Sequence, residues 1–70
     1  MNHESAIVRA VKICGNQSRL AEILNVKPQA VQKWCRTGRV PAERVLLIEA
    51  SVNRAVTRHE LRPDLYPLAA

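Results

Sequence analysis

Apolar side chains recur along this chain at intervals of three and four residues, the spacing that aligns one face of a helix. Between 5 and 14 they are Ala6, Ile7, Ala10, Val11 and Cys14, with Arg9 and Lys12 on the other side. Asn2 or Ser5 is placed to cap this helix, and Gly15 to end it at positive φ. A second helix, about 17–24, has Asn16 or Ser18 as its cap and Leu20, Ala21, Ile23 and Leu24 as its stripe. Asn25 follows, a residue that tolerates positive φ, and then Val26 as a buried linker. A third helix, about 28–37, begins with Pro28, whose missing N–H costs nothing at the first helical position. It turns Val31, Trp34 and Cys35 inward and stops at Gly38. A short loop, Arg39 to Pro41, leads to a fourth helix over about 42–52 with a stripe of Val45, Leu46, Ile48 and Val52; Asn53 makes its exit turn. Thr57, three residues before Glu60, fits a capping box for one short final helix. Pro63 and Pro67 forbid a long one, and 63–70 is expected to fray. The pattern predicts an all-α fold, a compact bundle of about five short helices forming a single domain over 1–70.

Composition narrows the function. The 70 residues hold 11 Lys and Arg against 6 Asp and Glu, a formal net charge of +5. A strongly basic small domain has the electrostatic footprint of a nucleic-acid binder. Trp34 and Tyr66 are the only aromatic residues, too few for the stacking platforms that bind single strands. The charge is also unevenly placed. From Lys27 to Arg44 there are five basic residues (Lys27, Lys33, Arg36, Arg39, Arg44) and one acidic residue, Glu43. Most of the excess therefore lies in and just after the third helix.

The second helix, its turn and the third helix together meet the demands of a helix-turn-helix. Two short helices that cross steeply need a small residue at the crossing, a turn residue that accepts positive φ, and apolar residues on both sides. Ala21, Asn25, and the set Leu20, Leu24, Val26, Val31 and Trp34 supply these in turn. With Val31 and Trp34 buried, the outer face of the third helix carries Gln29, Ala30, Gln32, Lys33 and Arg36. Gln29 and Gln32 can each pair with an adenine edge, Lys33 can reach guanine O6 and N7, and Ala30 can touch a thymine methyl. Gln29 has an alternative use as a helix cap. Lys27, Arg36 and Arg39 flank this set and are expected on phosphates, which set register rather than sequence. Gln17 and Ser18, at the N-terminus of the second helix, are placed for a further phosphate. Arg9, Lys12 and Arg19 are expected to be merely solvated, and Arg44 either to join the interface or to pair with Glu43 or Glu49.

The segment Gln17 to Arg36 resembles the helix-turn-helix of lambda-repressor-like, Cro-type phage regulators, with Asn25 where that family more often has Gly. The strings WCRTGRVPAER, IEA and VTRHELRPDLY extend the likeness to small prophage Cro-like and YdaS-type proteins, over nearly all of Gly15 to Tyr66. The resemblance implies a transcriptional regulator that binds double-stranded DNA in the major groove and represses by occupying an operator. It also implies an alternative, an antitoxin that binds a protein partner and regulates its own operon. One recognition helix reads few base pairs, so a palindromic operator and a homodimer, weak alone and strengthened on DNA, are expected. The length leaves no room for a sensor domain beside such a unit, so control is expected through concentration or a partner.

Other chemistries find little support. His59 and Glu60 are adjacent, and neighbours on a helix do not face each other. No nucleophile–base order, glycine-rich phosphate loop or metal-ligand spacing is present, so no catalytic residue, cofactor or metal is expected. Cys14 and Cys35 read as small core thiols in a reducing compartment. Arg9 and Lys12 interrupt any N-terminal apolar run, and no stretch approaches a membrane span. A cytoplasmic protein of a bacterium or phage-infected cell is expected. The Arg58, Arg62 and Asp64 cluster is left between two readings: a clasp that packs Leu61, Leu65 and Tyr66, or a dimer contact.

Overall fold

In the computed structural model, which describes residues 4–67, α1 spans Ala6–Cys14, α2 Gln17–Leu24, α3 Pro28–Thr37, α4 Val45–Ser51 and α5 Arg58–Leu61. Local chemistry marks both ends of α1 and α2, the Pro28 start and Gly38 end of α3, and the start of α5. The Ser5 hydroxyl accepts the Val8 N–H to open α1, and Asn16 Oδ1 accepts the Arg19 N–H at 2.8 Å to open α2. The alternative α1 cap, Asn2, lies outside the described residues. Pro28 opens α3 without a side-chain cap. Three left-handed or positive-φ residues close the first three helices: Gly15 at φ 120°, Asn25 at φ 58° and Gly38 at φ 73°. Thr57 and Glu60 form the full capping box of α5.

The helices bury one stripe each against a common core. Ile7, Leu20, Val31, Val40, Val45, Ile48 and Val56 are the largest side chains fully withdrawn from water. Fully burying a Val, Leu or Ile side chain contributes about 1.5–3 kcal/mol relative to leaving it exposed. α2 and α3 pack most closely on each other, with Ala21, 1% exposed, on the buried side of α2. A larger side chain there would have to displace its core neighbours.

Four details depart from the pattern reading. Residues Ala42–Arg44 form a 3₁₀ turn that precedes α4 rather than its first turn. Pro41 offers its carbonyl to the Arg44 N–H at 3.0 Å, an i→i+3 bond that tightens this stretch. Ile23 and Leu46, expected in the core, are 52% and 45% exposed. In α4 the stripe is instead Val45, Ile48, Glu49 and Val52, all buried. That is the i, i+3, i+4, i+7 set, and a carboxylate occupies one of its places. Residues 63–66, expected to fray, are held: the Leu65 and Tyr66 N–H groups donate to the Arg62 carbonyl, and His59 Nδ1 lies 2.7 Å from the Tyr66 carbonyl. The rest of the expected tail, 68–70, lies outside the described residues.

Candidate nucleic-acid interface

The buried side of α3 determines what its other side can do. Val31 and Trp34 are in the core and Cys35 packs against it. Gln29, Gln32, Lys33 and Arg36 follow the i, i+3, i+4, i+7 rule on the opposite face, and all four are exposed. Ala30 sits on the flank, partly buried against the core. Lys27 and Arg39, at the two ends of the helix, are exposed as well.

The described basic side chains divide into unpaired and paired ones, and those of this face fall mostly in the first group, together with Arg19, Arg44 and Arg54. Among the described residues, Lys27, Lys33 and Arg36 join no ion pair, while Arg9 pairs with Glu60, Lys12 with Glu4, Arg58 with Glu49 and Arg62 with Asp64. Arg39 is intermediate: its guanidinium stands 3.6 Å from Asp64 and its side chain is 70% exposed. Neither Glu43 nor Glu49 holds Arg44: among the described residues Arg44 and Glu43 join no ion pair, and Glu49 pairs with Arg58. Cations without local partners retain their full attraction for an external anion, whereas paired ones have already spent it.

The two ends of α3 are built differently. At the start, Asn25 takes the left-handed conformation and its N–H reaches back to the Glu22 carbonyl at 3.2 Å, turning the chain sharply into α3. At the end, the Gly38 N–H caps the Trp34 carbonyl at 2.7 Å. The Thr37 hydroxyl donates to the Lys33 carbonyl and accepts the Arg39 N–H, so the backbone is directed outward at Arg39 and back into the core at Val40. The N-terminus of α2 approaches the same region. Ser18 is exposed, while half-buried Gln17 turns its side chain to Cys35 on α3. Burial pushes the Cys35 thiol above its usual range, and the hydrogen bond from Gln17 partly opposes that rise.

A second polar cluster lies at the far end of the chain, and the sequence pattern had not placed it in the core. Glu49 accepts the Arg58 backbone N–H at 2.8 Å and the Arg58 guanidinium at 2.9 and 3.1 Å. These bonds hold its carboxyl below the ordinary range despite its burial. Arg58 in turn lies over the Tyr66 ring, 5.7 Å from its centre. Arg62, also buried, grips Asp64 with two parallel bonds of 2.9 and 2.7 Å. Of the expected clasp, Leu61 and Tyr66 pack inward, but Leu65 is 44% exposed. The signal available for Glu49 was its register on the α4 stripe; nothing local marks Arg62.

Among the described residues no group of His, Cys, Asp and Glu is disposed to hold a metal ion, and no helix is long and apolar enough to cross a membrane.

Comparison with known proteins places this geometry. The Escherichia coli (strain K12) protein named "Putative transcriptional regulator YdaS" is 40% identical over 58 residues, which are 81% of this chain and 59% of that protein. The chain thus spans somewhat over half the length of that curated relative. A solved structure, "Structure of the Cro protein from putative prophage element Xfaso 1 in Xylella fastidiosa strain Ann-1", superimposes with a TM-score of 0.84 at 44% identity, covering 94% of this chain and 98% of that one. The five-helix, Cro-like architecture is therefore shared along almost its whole length. A family model described as "Bacterial toxin YdaS" matches residues 7–69, so the chain belongs to the YdaS family.

Proposed function

We propose that this protein is a sequence-specific, double-stranded DNA-binding transcriptional regulator that represses by occupying an operator. The observation that carries the reading is the exposed, unpaired stripe of α3, backed by a face that the core has already consumed. Gln29, Gln32 and Lys33 read base edges in the major groove, with Ala30 on the flank against a thymine methyl. Lys27, Arg36 and Arg39 neutralise phosphates, and Ser18 with the amide of Gln17 binds another at the start of α2. The regulator named for the Escherichia coli relative and the Cro protein of the solved structure support this reading.

The protein works without catalysis, in the cytoplasm, as a two-fold dimer on a palindromic operator with half-sites about 34 Å apart. Dimerisation is weak in solution and strengthened on DNA. Selection of bound duplexes from a random library tests the whole proposal: a palindromic consensus is expected, and recovery of unrelated sequences would refute base reading. Sedimentation showing a tight dimer at nanomolar concentration would contradict DNA-assisted pairing.

A second reading, engagement of a protein partner, is favoured by Leu46 and Leu47 on α4, 45% and 51% exposed. The family's description names a toxin, whereas the sequence resemblance implied an antitoxin. An apolar patch left exposed between Leu61 and Leu68 would also favour this reading, but Leu61 is buried, Leu65 alone is 44% exposed there, and Leu68 lies outside the described residues. Failure to retard any duplex at low salt, with the fold intact, would favour it.

A further inference from the structure

The Arg62–Asp64 pair has a reach that its place in the chain does not announce. Arg62 follows α5 in extended backbone, at φ −141° and ψ 76°, yet its side chain crosses to the exit of α3. Its Nη1 donates to the Val40 carbonyl at 2.7 Å, a bond between residues 22 positions apart. Nε and Nη2 grip the two oxygens of Asp64 at 2.9 and 2.7 Å. Asp64 Oδ2, the oxygen that accepts from Arg62 Nη2, also stands 3.6 Å from the Arg39 guanidinium. Three groups thus link the last turn of the molecule to the first residues after α3.

We propose that Arg62 is a positioning residue for DNA binding: it anchors the Arg39–Pro41 segment through the Val40 carbonyl and, through Asp64, orients the Arg39 guanidinium toward the phosphate backbone. The inference rests on the DNA-binding reading above and adds a role for the 61–66 segment.

The geometry favours positioning over simple cross-linking. Arg39 lies beyond the Gly38 cap of α3, so the helix does not orient it. Val40 is 1% exposed and locks the loop on its apolar side. The carbonyl on its polar side needs a donor, and Arg62 supplies one with a planar fork that satisfies Asp64 at the same time. A lysine ammonium has its donors on one atom and cannot reproduce the two-pronged grip on Asp64 together with the bond to Val40. Because Arg62 bonds directly to the Asp64 carboxyl, its pKa is pulled down to about 2. The group therefore stays ionised at every pH where DNA binding is measured, and the arrangement is not a pH switch. Arg39 and Arg62 are the only cations within reach of Asp64 among the described ion pairs.

The test is a double-mutant cycle on duplex affinity. Arg62→Lys is expected to weaken binding about tenfold for every duplex without changing the ranking of sequences, a coupling in the usual range for residues of one network. In an Arg39→Ala background the same substitution should cost less than about twofold, because the contact it positions is already gone. Asp64→Asn should also weaken binding, although it removes a negative charge that would otherwise repel DNA. Additive losses for Arg62→Lys and Arg39→Ala, or tighter binding by Asp64→Asn, would overturn the positioning role. If Arg62→Lys fails to fold by circular dichroism, Asp64→Asn decides alone by its sign. Wild-type protein that retards no duplex would instead overturn the DNA-binding reading itself.

Discussion

Lys27, Lys33 and Arg36 around α3 join none of the ion pairs among the described residues, whereas Arg58 and Arg62 at the other end of the chain each hold a carboxylate at hydrogen-bond distance. The two regions also differ in composition. Residues 27–44 contain five basic side chains and one acidic; residues 45–67 contain three of each (Arg54, Arg58, Arg62; Glu49, Glu60, Asp64). Most cations of the first region join no ion pair among the described residues, while Arg58 and Arg62 of the second are bonded within the molecule. An exposed pair contributes little to stability, but a buried carboxylate must be bonded or it costs several kcal/mol. The C-terminal region needs its pairs because Glu49 and Arg62 are buried there. The α3 face needs none, since water solvates its exposed cations; on the proposed reading they release the counterions condensed on DNA when they meet its phosphates.

The contrast is sharp enough to break. The largest effect should come from the core beneath both regions: Ile48→Ala is expected to cost about 2–5 kcal/mol in urea unfolding. A comparable loss of stability from Gln32→Ala or Lys33→Ala would erase the distinction between the two regions. Those two substitutions should instead leave stability within about 0.5 kcal/mol. Each should cost about 1–3 kcal/mol of discrimination between the best duplex and one altered at the contacted base. Next in size is Thr57→Ala, which removes the α5 cap and should lower stability by about 1 kcal/mol while duplex affinity holds.

The smallest effect at neutral pH, and the most selective, is acid sensitivity. Arg58 lowers the Glu49 carboxyl, the Thr57 N–H and Arg9 lower that of Glu60, and Asp64 is held at about 2. A depressed folded pKa stabilises the fold above the unfolded value near 4 and loses that contribution as pH falls through the folded value. Stability should thus decline from about pH 4 toward pH 2, with little change above pH 5. Glu49→Gln should flatten part of that slope, and an unchanged slope would remove Glu49 from the account.

Local residues announced most of the fold. Asn16, Asn25, Pro28, Gly38, and Thr57 with Glu60 each mark a helix boundary by their own backbone or capping chemistry, and each marks one in the structure. The α3 stripe was equally legible, because four polar residues spaced three and four apart can only share a face. Side chains at the margins of a stripe were not. Ile23 and Leu46 lie one position off the i, i+3, i+4, i+7 sets Gln17–Leu20–Ala21–Leu24 and Val45–Ile48–Glu49–Val52, and hydrophobicity alone drew them inward. Periodicity locates the centre of a buried face, while the neighbouring helices set its width.

What the sequence determined by itself was the set of helices, the turn between α2 and α3, and the polar face that the turn leaves open. These follow from dihedral preferences and a 3.6-residue period, which act over a few residues. Only the tertiary structure decided that Glu49 is buried on Arg58, and that Arg62 reaches the Val40 carbonyl beside Arg39. Such choices depend on which groups meet when distant segments pack. There the cost of burying a charge selects a partner that no local pattern can name.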